Sequence, residues 1–236
     1  MRERGENMEF TEMMHAYIAA KYCVYIEERF GERGEAAFLH ATRHYAQQRG
    51  RRMAQRAIRD GQPLTYETYC RYGEWVNTDT AKAEGLANKA EVKSLAPDYE
   101  VHIYVCPWHS QFAKMGLVKE GLLYCSDLDA SICRGFNPEL DYKTLQTLHD
   151  HDHCVQRVTA SGLAPGMDLA KRPENLKPFE YHCAHSYFAY KSVCEAIFGA
   201  EGARIAADVL EDLAKDYGKD AADRIMSYRD TDFNSI

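Results

Sequence analysis

The strongest constraint on how this chain can fold is a pattern that occurs twice. HAYIAAK at 15–21 and HSYFAYK at 185–191 share His, Tyr, Ala and Lys at the same offsets. Each copy then has Phe-Gly and a second glycine: Phe30, Gly31 and Gly34 in the first, Phe198, Gly199 and Gly202 in the second. A further glycine (Gly50, Gly218) and an arginine (Arg56, Arg224) also agree, with a two-residue difference in spacing ahead of the Phe-Gly turn. In the first copy Met13, Ala16, Tyr17, Ala20 and Val24 recur at helical spacing, and Ala37, Phe38, Ala41 and Tyr45 do so after the glycines. Two helices joined by a glycine turn make an αα-hairpin. Its recurrence reads as an internal duplication, with chance likeness of amphipathic helices as the alternative.

Between the copies the periodicity changes. LTYETYCRYGEWV reads as a helix capped by Thr65, and AKAEGLANKAEVKSLA as a second short helix. Val101, Ile103 and Val105 alternate with His102, Tyr104 and Cys106, which is the period of a strand that Pro107 stops or places at an edge. Helices are expected over 108–114 and 118–133, ended by Gly116 and Gly135, and strands over 143–148 and 153–160. The stretch 161–182 is a proline- and glycine-bearing loop, long for a compact domain and of the kind that often serves function. Helices follow over 183–198 and 201–216, with a last amphipathic piece to Tyr228. No βαβ alternation is visible, so the expected class is α+β. A small antiparallel sheet packs against long helices, and the repeated αα-hairpin stands at both termini. The expected division is an α+β core over 1–160, with the loop and C-terminal hairpin over 161–236 packed on the same domain.

The formal net charge of −7 gives no electrostatic case for nucleic acid or an anionic membrane surface. No apolar run is long enough for a transmembrane helix, and MRERGENMEFTEMMHAY has no apolar segment of the secretory type. Without such a signal, the eight cysteines are expected as reduced thiols in a cytoplasmic protein. CxxC, P-loop, GxGxxG, HExxH and GxSxG motifs are lacking.

Reactive side chains concentrate in 101–160, which holds four of the eight cysteines and five of the ten histidines. CPWH at 106–109 sets Cys106 at a strand end with His109 three residues on, a thiol and a base if the turn folds back. The bland reading is a small buried hydrophobe. YCSDLDASIC brings Cys125, Asp127 and Asp129 close together, and on a helix Cys125 and Asp129 share a face. A carboxylate there could orient a base or bind an amidine nitrogen, although a core cysteine beside solvated aspartates is equally consistent. HDHDHC at 149–154 would align His149, His151 and His153 on one side if it were a strand. In a turn that segregation fails, and a solvated hairpin tip is the alternative. His15 and His185, which open the two hairpin copies, read as structural.

At CPWH, GLLYCSDLD, FNPEL and HCVQRV the chain resembles the L-2-amino-thiazoline-4-carboxylic acid hydrolase family over roughly residues 10–160. The resemblance implies an enzyme that opens a cyclic amidine, converting an aminothiazoline carboxylate to a carbamoyl cysteine. It also implies a fold like the vinyl-reductase and trafficking-protein ligand-binding domains. HDHDHC and the C-terminal hairpin depart from the family's pattern. The expected function is hydrolysis of a C–N bond in a small cyclic amidine or amide. Cys106 and Cys125 are the candidate thiols, with Cys106 attacking, His109 or His151 moving the proton, and Asp127 or Asp152 holding the amidinium. Trp108 and His153 complete the expected substrate contacts. Either no cofactor is required or a divalent metal bound by these histidines, cysteines and aspartates activates water. A binding or sensor module without catalysis is the rival. The partner expected is a small-molecule substrate, with a homodimer as the default assembly.

Overall fold

The computed structural model describes residues 8–236, and residues 1–7 of the N-terminal stretch read for a signal lie outside the described residues. Two long helices open the chain, α1 (Glu12–Phe30) and α2 (Glu32–Arg59). Thr11 caps α1 by accepting from the Met14 N–H, and Gly31 makes the turn at φ 55°, where a side chain would be strained. Short helices α3 (Tyr66–Arg71) and α4 (Asp79–Ala83) follow, then strands β1 (Lys89–Ser94) and β2 (Tyr99–Val105). Helices α5 (Pro107–Lys114) and α6 (Val118–Phe136) lead to β3 (Tyr142–Gln146) and β4 (Cys154–Val158). The chain closes with α7 (Phe179–Phe198), α8 (Ala200–Tyr217) and α9 (Lys219–Met226). The strands form one antiparallel sheet in the order β1-β2-β4-β3, so the fold is α+β.

The repeat is visible in the contacts. Phe30 stacks on Phe198 at 3.8 Å and Tyr22 on Tyr190 at 5.2 Å. A Cβ on Gly34 would meet Ile26 O at 2.3 Å, and one on Gly202 would meet Cys194 O at 2.1 Å, so each glycine lets its hairpin close in the same way. Tyr17 donates to Asp216 at 2.6 Å, and the matching pair in the other copy is His185 with Gln48 at 2.9 Å. The Phe-Gly turn therefore sets the register, and His15 and His185 do not occupy equivalent places. A two-residue shift turns a helix by roughly 200°, which moves the two imidazoles to different sides. The copies also differ at their last matching glycine, Gly50 against Gly218. Gly218, at φ 94°, breaks α8 from α9. Gly50 stays helical inside α2, where a Cβ would fall 2.0 Å from Ile132 O of α6.

That crossing explains one departure from the sequence reading. Gly135 does not end α6. It lies inside the helix, where a Cβ would meet Gln47 O of α2 at 2.4 Å. Two glycines on facing helices allow a backbone approach that side chains would block. The segment expected as a helix over 81–96 is the end of α4 followed by β1. Gly85 at φ 72° stops the helix, and pairing with β2 stabilises an exposed edge strand. The expected helix beginning at Leu64 is confined to α3. Pro107 opens α5 at its first position, where its missing N–H costs nothing, and β2 is an interior strand.

Candidate active site

β2 and α5 position Cys106. It is the last extended residue before α5, at φ −144°, so its thiol stands at a helix N-terminus. Burial pushes the thiol up to about 12, although the backbone N–H groups of His109 and Trp108 pull the other way. The proximity of Cys154 and Asp129 raises it further.

α6 presents Cys125 and Asp129 one turn apart on its inner side. Cys125 Sγ lies 3.5 Å from His149 Nε2, a ring carried by the turn between β3 and β4. Gly121, one turn earlier on α6, makes room for it, since a Cβ there would sit 2.2 Å from His149 Cε1. The His109 ring stands 4.9 Å from His149 and Phe112 5.9 Å, edge-on. Burial lowers His149 to about 4, helped by His109 and opposed by Asp150. The imidazole is therefore neutral at pH 7 and can accept the thiol proton at Nε2. The Cys125 thiol itself is pushed well up by burial, then by Cys106, Asp129 and Cys154. Three thiols and one carboxylate thus share a small volume.

Asp129 accepts from Gln156 Nε2 of β4 at 2.7 Å. Burial raises its pKa, while Arg49, the Gln156 hydrogen bond and Lys171 act in the opposite direction. Cys106, Cys125, Asp129, Cys154, Tyr69, Tyr142 and Lys171 all retain accessible area. Each is nonetheless strongly desolvated by the protein around it. That combination belongs to side chains lining an enclosed cleft.

Behind the cleft, α2 carries three arginines around one carboxylate. Glu74, fully buried, takes Arg52 at 2.9 Å and the Arg56 guanidinium, while Arg49 Nε is 3.7 Å away. Burial would raise Glu74, but Arg52, His182, Arg49 and Arg56 hold it down at about 2. His182 Nε2 contacts the Glu74 carbonyl oxygen at 3.1 Å. Lys171, from the loop between β4 and α7, donates to Trp75 O at 2.6 Å and lies 4.4 Å over the Trp75 ring. Burial and Arg49 lower it to about 8, against Cys70 and Asp129. Among the described residues no three His, Cys, Asp or Glu side chains come together so as to hold a metal ion.

A family model described as L-2-amino-thiazoline-4-carboxylic acid hydrolase matches residues 11–157. The chain belongs to this family. No curated protein and no solved structure matches it. The match takes in α1, α2, all but the last residue of the sheet, Cys106 ahead of α5, Cys125 and Asp129 on α6, and the turn that carries His149. Lys171 and α7–α9 lie beyond it.

Within that family framework, the structure brings some of the expected site residues together and leaves others outside. Cys106, Cys125 and His109 meet at the cleft. Trp108 is beside it, with its Nε1–H committed to His15 Nδ1 at 2.9 Å and its ring against Trp75 at 5.1 Å. Asp127 points to the other side of α6, into Arg43 and Arg134, and lines a separate surface groove with Lys143 and Thr144. The HDHDHC run is a turn and not a strand, so its histidines diverge. His151 is exposed beside Asp150 at 3.1 Å. Asp152 is exposed and bonds His153 at 2.5 Å. His153 stacks on His102 at 4.5 Å, on the sheet face where Arg157 pairs with Glu100. Arg49, Lys171 and Gln156 were not anticipated. Arg49 sits in a run of arginines that reads as a solvated helix face, and Lys171 in a loop with no periodic signal.

Proposed function

We propose that the chain hydrolyses a small cyclic amidine or amide of the aminothiazoline carboxylate kind, using the Cys125–His149 pair and Asp129. The observation that carries this is a thiol within reach of a neutral, half-buried imidazole, the arrangement of a nucleophile with its base. The ligand's amidinium enters against Asp129. Its positive charge favours the carboxylate and the thiolate that burial alone disfavours. His149 takes the Cys125 proton as sulfur adds to the amidine carbon. Cys106 stands at the N-terminus of α5, where backbone N–H groups can stabilise negative charge on the oxygen that water adds in the release step. Ring opening breaks one of that carbon's bonds, and water then releases the carbamoyl product and restores the thiol. Cleavage of the C–N bond frees an amine, with the proton that His149 took from Cys125 passing to the leaving nitrogen. Cleavage of the neighbouring C–S bond frees a thiol.

The raised thiols favour a second reading, in which water attacks directly under His149 and the cysteines only shape the wall. Incubation with aminothiazoline carboxylate, followed by mass spectrometry and a free-thiol titration, tests the activity and identifies the bond. A gain of one water by the ligand is expected. Tight binding with no mass change across cyclic amidines and amides identifies a binding module and ends the hydrolase reading. Turnover that survives Cys125→Ala selects the direct water route.

A further inference from the structure

The positive charges beside the cleft are not all accounted for by the reaction above. Glu74 is hydrogen-bonded by Arg52 and Arg56, which leaves Arg49 with an ion pair at 3.7 Å and no hydrogen bond among the described residues. Its Nε is buried without an acceptor. A buried guanidinium donor left unmatched is costly, and ordered water or the acceptor of a bound ligand satisfies one. Arg49 is 6.0 Å from the Trp75 ring, the same ring that Lys171 overlies at 4.4 Å.

Lys171 is held in place by backbone as well as by its own bond. Arg172 N–H donates to Arg71 O at 3.0 Å, and Lys177 N–H to Glu74 O at 2.8 Å. These strap the loop across the segment 71–75. Gly73 provides the space, because a Cβ there would meet Lys171 Cε at 2.9 Å. Among the described residues one acceptor, Trp75 O, is supplied to an ammonium with three donors. Arg49 and Lys171 both act on Asp129, so two cations and one anion border the same space.

We propose that Arg49 and Lys171 form a carboxylate clamp, so that the cleft takes a zwitterionic ligand with its carboxylate on these cations and its amidinium on Asp129. The inference rests on the hydrolase reading for the identity of the ligand, but the clamp can be tested without turnover. It also gives the long loop after β4 a role, since the loop supplies one of the two binding groups from outside the family-matched residues.

Three compounds separate the contributions: aminothiazoline carboxylate, the same ring without its carboxylate, and thiazolidine-4-carboxylate, which has the carboxylate but no amidine. Loss of one charge-assisted contact is expected to cost about 10- to 100-fold. Lys171→Met should lower kcat/KM on aminothiazoline carboxylate by that factor and leave the carboxylate-free ring unchanged. It should weaken calorimetric binding of thiazolidine-4-carboxylate equally, with Lys171→Arg restoring part of the loss. Equal losses on both rings, or unchanged thiazolidine-4-carboxylate binding in Lys171→Met, would overturn the clamp. So would failure of the unaltered chain to bind that compound. If neither ring is turned over while thiazolidine-4-carboxylate binds in a Lys171-dependent way, the hydrolase reading fails and the clamp stands.

Discussion

Asp127 and Asp129 lie two positions apart on one helix and face opposite surroundings. Asp127 looks outward to Arg43 and Arg134, both nearly half exposed, and to Ser131. Burial would raise it, but the hydrogen bonds from Arg43 and Ser131 and the charges of Arg43 and Arg134 leave it lowered. Asp129 looks inward at three thiols and is raised. The β3–β4 turn shows the same division, with His149 under α6 and His151 in solvent. Residue type and spacing propose a cluster, whereas the rotation of a helix or turn decides which members can act on a substrate.

The largest effects are expected at the inner pair, Cys125 and His149. Cys125→Ala and His149→Ala should each reduce kcat/KM by about 1,000-fold or more, and the double variant should lose little beyond either. The unaltered enzyme should gain kcat/KM as pH rises through about 4, because His149 must lose its proton to act as a base. It should lose kcat/KM as pH rises through about 8, because Lys171 must keep its proton to hold a carboxylate. A flat profile between pH 3 and 10 would contradict both assignments.

Asp129→Asn is expected to cost about 100-fold in kcat/KM, since it removes the carboxylate that acts on Cys106, Cys125 and Cys154 while keeping the Gln156 contact sterically intact. Gly121→Ala adds one methyl group 2.2 Å from His149 Cε1 and must displace the ring. A loss of about 10-fold in kcat/KM should follow, with the Cys125 and His149 side chains unaltered. The smallest effects belong to the outer face. Asp127→Asn and His151→Ala should leave kcat/KM within about 3-fold, and Asp127→Asn should lower stability in urea by about 0.5–1 kcal/mol. A large activity loss in either would place the chemistry on the wrong side of α6.

The two hairpins carry a parallel lesson. Their shared Phe-Gly turns were legible because a positive φ demands glycine and the motif repeats. Their divergence was not. Gly50 and Gly218 look alike in sequence, yet one admits a close crossing with α6 and the other breaks a helix. The Cys125–Asp129 pairing was readable as one helical turn. His149 could not be chosen over His151, because HDHDHC carries no sign of its turn geometry. The arginines of α2 gave no sign of burial, since nothing local reveals that Glu74, a distant residue, will sit among them.

By itself, the sequence determined the hairpin repeat, the α+β class, the family, and the segment in which thiols and imidazoles gather. Periodicity, glycine conformation and residue chemistry are local properties, and they survive without knowledge of neighbours. Only the tertiary structure decided that Cys106, Cys125 and Asp129 meet, that His149 is the imidazole beside them, and that Arg49 and Lys171 border the same space. Those facts depend on which faces of α2, α6 and the long loop are pressed together. Burial and opposed charge then set each group's protonation, through distances that no single segment encodes.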